Sequence, residues 1–335
     1  MRTWNERLFA AIPLPPGWVG AIVAATLVIG FIAIVALSGE LGEFLRADER
    51  WWQTRNARLA LLLALLAAYL PVARRYESLV AASCRADLQS SGLTGRNTPE
   101  MVDHSGLAGV LGLLAVPLTA FLVDRDPSLY LRSDYWRGAN IFIWSAGAAT
   151  AWNFGVLLAT VRSHARSFSE IARESERFDL LRGHVFRPFA RYGLGCALLW
   201  SIALALWSLN LIDRGFASSV ALIGVVALSG AGLALLLPLR GAHSRIIREK
   251  EAELLRIDAA LSGDREAMKR SAIGVWQPSL GLADLLAYRG FVEGLREWPV
   301  DTPTLTRFAL YLGIPIGSWL GGAFVERVVD ALLGP

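Results

Sequence analysis

The sequence predicts an all-α protein that crosses a membrane about seven times, with amphipathic helices on the cytoplasmic side. Three observations carry that prediction. The chain of 335 residues is 54% hydrophobic and only 19% charged, where soluble domains carry roughly 25% charge. Its apolar residues gather in runs of about 20, the length that crosses a hydrocarbon core of about 30 Å. The basic residues fall unevenly on alternate sides of those runs: of 33 Lys and Arg, 24 lie on one side and 9 on the other. Basic loops stay in the cytoplasm, so the N-terminus is expected inside, the C-terminus outside, and the cell inner membrane is the expected location.

The runs follow in order. Residues 1–16 form a stub with Arg2, Trp4, Arg7 and Phe9 ahead of a proline-rich turn, which suits the membrane interface. The first span, 17–38, carries no charge and is too long for a cleaved signal core. The second, 59–80, holds Pro71, Arg74 and Arg75 in its second half. The third and fourth cover 106–123 and 138–161, the fifth 192–212, and the sixth ends near 239, so six spans occupy 17–239. The seventh begins after Thr302-Pro303, within 302–335, where proline at the first helical position follows a capping Asp301 or Thr302.

Two stretches between spans have helical periodicity. After span four, 162–191 places Phe168, Ile171, Phe178 and Leu181 on one face and Arg166, Glu170, Arg173 and Arg177 on the other. After span six, 240–301 keeps Ile247, Leu254, Ile257 and Leu261 in a heptad-like rhythm, then a further helix from Leu282 to Trp298. These segments are expected to pack as one cytoplasmic assembly layer. Separate helices lying on anionic lipid are the alternative.

Chemistry is sparse. The cysteines are Cys84 and Cys196, without CxxC spacing, and the four histidines never fall three to five residues apart. A disulfide framework, a thiolate metal site and the usual zinc spacings are therefore not expected. The central turns of spans one to six lack Asp, Glu, Lys, Arg and His, which argues against a proton-coupled transporter. Asn153, flanked by Trp144 and Trp152, is the most notable polar residue at depth, and interhelical hydrogen bonding is its expected role. Asp124 and Asp126 make a DxD pair in an outer loop, weak evidence for a metal on its own. Ser318 has no histidine at membrane depth to activate it. No enzyme, cofactor, metal or nucleic-acid partner is expected.

Span seven is the most informative segment. Gly313, Gly317 and Gly321 recur every four residues and share one face, which permits close helix contact. Pro315 lies among them, removes a backbone donor and frees a carbonyl. Gly313, Pro315, Gly317, Ser318 and Gly321, with Asn153, are the candidate pore-lining or helix-packing residues. Span four repeats a milder stripe at Gly147, Ala151 and Gly155. The whole plan resembles the insect-type odorant and gustatory receptor channels, which have seven spans, an inside N-terminus, a cytoplasmic anchoring layer and a pore-lining last helix. The resemblance is one of topology alone, so it implies a channel and assigns no residue. The expectation is an oligomeric channel or pore-type protein in contact with membrane lipid, passing ions or a small solute. A non-catalytic scaffold or sensor and a small-molecule or lipid transporter are the alternatives.

Overall fold

The computed structural model describes residues 12–42, 55–92, 105–123, 127–174, 186–208, 216–273 and 281–333. Among them the elements are helices, with no strand. Helix α1 is Pro16–Leu37, α2 Arg55–Ser90, α3 Ser105–Val123, α4 Gly138–Glu174 and α5 Arg187–Ser208. Then come α6 (Phe216–Leu261), α7 (Arg265–Arg270), α8 (Leu282–Glu293) and α9 (Thr302–Leu333). Among the described residues four helices are long and apolar enough to cross a membrane, α1, α2, α4 and α5. The three remaining predicted runs fall within α3, α6 and α9.

Proline and glycine set the ends of α1. Pro16 starts it, where a missing N–H costs nothing. Gly39, at φ +77°, stops it, and the Ser38 hydroxyl donates to the Val35 carbonyl at 3.0 Å. Its 22 residues rise about 33 Å, yet only Val19, Phe31 and Val35 are buried. The rest of α1 is an apolar surface suited to lipid.

Helix α2 is the central post. It runs unbroken through Pro71 to Ser90, beyond the span end near 80 that the arginines imply. It packs against α1, α4 and α5. Arg191, in the first turns of α5, grips its far end by donating to Cys84 Sγ (3.3 Å), Ser83 Oγ (3.2 Å) and the Asp87 carboxylate.

Helix α4 continues past the expected span as a single rod of 37 residues. Glycine decides its contact with α3. A Cβ at Gly112 would collide with the Ala151 carbonyl, and one at Gly155 with the Ala108 carbonyl. The two backbones therefore touch directly. Farther along α4, Phe168 and Ile171 are buried with Phe186, Phe189 and Tyr192, and Phe168 stacks at 4.5 Å on Tyr192.

Beyond the bundle, α6 extends to meet α7 and α8. Asp264 caps α7 by accepting from the Glu266 and Ala267 amides at 2.9 and 3.1 Å. Leu285, Tyr288 and Val292 form the buried face of α8. Leu254 and Leu261 pack against the cluster of Ile257, Tyr288 and Val292, while Ile247 is half-buried. Under them lies Glu253, 1% exposed, whose Oε1 accepts from Ser271 Oγ (2.6 Å), the Ala272 amide (2.8 Å) and Tyr288 Oη (3.2 Å). Arg256 donates to its other oxygen at 2.9 Å. His243 stacks on Trp298 at 3.9 Å, which returns the chain towards α9. There Asp301 accepts from the Thr304 amide at 2.9 Å, the cap foreseen at this start. Hydrogen bonds from the Thr304 side chain and backbone hold the Asp301 carboxyl below its ordinary pKa.

Candidate functional site

The residues singled out in span seven divide between two faces of α9. Pro315 is buried against α5, where the Ser208 hydroxyl reaches its carbonyl at 3.5 Å and the Ala205 carbonyl at 2.7 Å. Gly313, Gly317 and Gly321 are exposed, and a Cβ added at any of them would meet no atom within 4 Å. Leu310, Leu320 and Phe324 are also exposed on α9. A helix turns about 100° per residue, so Pro315 points nearly opposite to Gly313 and Gly317. The glycines and the proline do not act on one surface. Ser318 lies in the same helix.

Asn153 is buried at 6% exposure, and its amide donates to the Ala149 carbonyl of its own helix at 2.8 Å. The milder stripe of span four carries the real backbone contact, at Ala151 and Gly155 against α3. Phe168 and Ile171 join the core of α2, α4, α5 and α6, whereas Leu254 and Leu261 join the separate cluster of α6 and α8. The two groups are bridged along α6, where Gly241 abuts Ser169 and Arg245 donates to the Arg173 carbonyl at 3.3 Å. Phe178, Leu181 and the Asp124–Asp126 pair lie outside the described residues.

One polar cluster was not visible in the sequence. Glu77 of α2 has a side chain that is 0% exposed, and its Oε1 lies 2.6 Å from His164 Nδ1 of α4. Tyr192 of α5 donates to the same oxygen at 2.6 Å, and Ser78 to the other at 3.5 Å. Three helices thus meet on one carboxylate. Charge burial of this kind is tolerated only when paired. Glu77 falls in the last turn of the second span, outside its central turns, and His164 lies beyond span four, so neither residue stood out; the signal was that both fall on apolar faces of continuing helices. Among the described residues no group of three His, Cys, Asp or Glu side chains is placed to hold a metal.

Above this cluster, Leu70, Ala73 and Leu157 form an apolar floor with Tyr69, Phe154 and Leu199 packed on it. Glu77 is seven residues beyond Leu70, about 10 Å along α2. Over the floor opens a cavity of about 840 Å³, lined by residues of α2 to α6. Leu59, Leu63, Leu66 and Leu70 of α2 line it together with the large rings Trp144, Phe154, Trp200 and Trp207 of α4 and α5. Tyr130 and Tyr135, on the short 3₁₀ turns between α3 and α4, also line it.

No family model, no curated protein and no solved structure matches this chain. Function therefore rests on the geometry.

Proposed function

We propose that this chain is a seven-span membrane protein, with its N-terminus in the cytoplasm, that assembles into an oligomer of channel or pore type. The observation that carries this reading is the outward face of α9. Three glycines there leave a shallow flat strip, flanked by exposed Leu310, Leu320 and Phe324. Glycine costs a helix about 1 kcal/mol relative to alanine, a cost offset where another backbone approaches. Among the described residues that approach does not occur within the subunit, and a second copy would supply it. The last helices of several subunits then surround an axis. Charged extensions of α4 and α6, with α7 and α8, form the cytoplasmic end, consistent with the uneven distribution of Lys and Arg.

The test is subunit number by native mass spectrometry, together with conductance in planar bilayers. The parent protein is expected to be oligomeric and conducting. Gly317→Leu is expected to lower subunit number and abolish conductance, because added bulk separates the helices. Ile29→Ala, on the exposed face of α1, is expected to leave both unchanged. A monomeric parent, or an oligomeric and conducting Gly317→Leu, overturns the reading.

A second reading is favoured by one observation. Buried acidic and histidine groups in membrane helices mark proton relays, and Glu77 with His164 is such a pair. A proton-coupled small-molecule transporter would move protons into proteoliposomes with solute, and Glu77→Gln would stop that flux while leaving oligomer size intact.

A further inference from the structure

We infer that the 840 Å³ cavity between α2, α4 and α5 is a binding site for an uncharged, ring-bearing apolar molecule. The inference does not rest on the proposed assembly of subunits. Three properties of the lining specify the ligand.

The first is charge. Among the described residues, no Asp, Glu, Lys, Arg or His lines the cavity. An ion entering it would lose its hydration without gaining a partner. The second is the state of its polar groups. Thr150 donates to the Leu63 carbonyl at 3.3 Å, Trp144 to Tyr135 Oη at 3.1 Å and Asn140 to the Tyr135 carbonyl at 2.8 Å. Trp200 Nε1 donates to the Val226 carbonyl at 3.4 Å. These four donors are already engaged by the protein, so the surface offered to a guest is mainly apolar, and Asn56 adds an exposed amide. The third is shape. Large rings lie among the leucines of the lining, with Phe154 and Trp200 at 5.8 Å. Rings favour offset or edge contact with a second flat ring.

Size agrees with this class. Ligand cavities run from about 300 to 1,000 Å³. Benzene fills an apolar cavity of about 150 Å³, and at that density this one holds on the order of 30 non-hydrogen atoms. Apolar walls also make water a poor occupant. Part of the lining is a fixed aromatic group: Tyr130 meets Tyr135 at 5.2 Å and Trp144 at 5.3 Å, edge to face, and Trp136 Nε1 donates to the Tyr130 carbonyl at 3.0 Å.

The experiment uses the full chain in lipid nanodiscs and a neutral aromatic carbene precursor, 3-trifluoromethyl-3-phenyldiazirine. After irradiation, labelled residues are found by mass spectrometry, with and without excess 1-aminoanthracene, an uncharged three-ring fluorophore. Label is expected on Leu66, Trp144 and Trp200, reduced at least fivefold by the competitor, while label on lipid-facing Ile29 and Leu310 is unchanged. Energy transfer from tryptophan to 1-aminoanthracene is expected to saturate and to weaken at least tenfold in Leu66→Trp, whose larger ring occupies part of the cavity. Labelling spread evenly over lipid-facing positions, or not reduced by competitor, overturns the proposal, whether or not Leu66→Trp folds. Co-purified phospholipid that is lost in Leu66→Trp overturns it in favour of an acyl chain as the occupant.

Discussion

Glu77 and Glu253 are each about 1% exposed, and the chain satisfies them by different means. Glu253 collects a backbone amide, two hydroxyls and a neighbouring arginine, all from residues within 35 positions of it. Glu77 relies on His164 and Tyr192, which are 87 and 115 positions away. Removing one member of a buried pair leaves the other unpaired, at a cost of about 3–5 kcal/mol. Glu77→Leu and His164→Leu are each expected to lower the detergent unfolding temperature sharply. The double variant is expected to be more stable than the sum of the two losses predicts. Additive losses in that cycle would mean that the two side chains do not support one another. A third carboxylate, Glu40, works at a helix end: its Oε2 accepts from the Ala139 amide at 3.2 Å, anchoring the start of α4 next to the end of α1.

At the scale of the element, glycine shows how far a sequence can be read. Two stripes with the same four-residue spacing look alike on paper. The one on α4 touches α3 through backbone, and the one on α9 has open space around it among the described residues. Spacing tells which residues share a face; it cannot tell what that face meets. Helix positions were legible because apolar runs and caps are local, as at Asp301-Thr302-Pro303. The heptad-like Leu254 and Leu261 were legible for the same reason, although their partners on α8 were not. The cavity was beyond reach, because Leu66 and Trp200 are distant in sequence and each is an ordinary apolar residue in an apolar run. Glu253 gives the element-level prediction. Glu253→Ala strips the acceptor from Ser271, Ala272 and Tyr288, each bond to a charged group contributing about 1.5–3 kcal/mol. Amides in 265–273 and 282–293 are expected to exchange hydrogen much faster, while those of α2 and α5 stay protected. Uniform exchange across both regions would mean that the α7–α8 cap has no separate stability.

For the whole molecule, charge and architecture make one further prediction. A reporter active only outside the inner membrane is expected to work when inserted in 127–137 and to fail in 240–299, where the basic residues gather. Activity in the second position would reverse the proposed orientation. The two ends of the molecule so defined are joined by α6, whose 46 residues rise about 69 Å in one helix. Val226 lines the cavity at one end, and Glu253 holds the α7–α8 cap 27 residues later, about 40 Å away. Between them, Pro238 breaks the hydrogen-bond ladder while Gly193 and Gly241 press α6 against α5 and α4. Glu253 lies about 22 Å beyond that proline, so a bend of a few degrees there would move the far cap sideways by about an ångström.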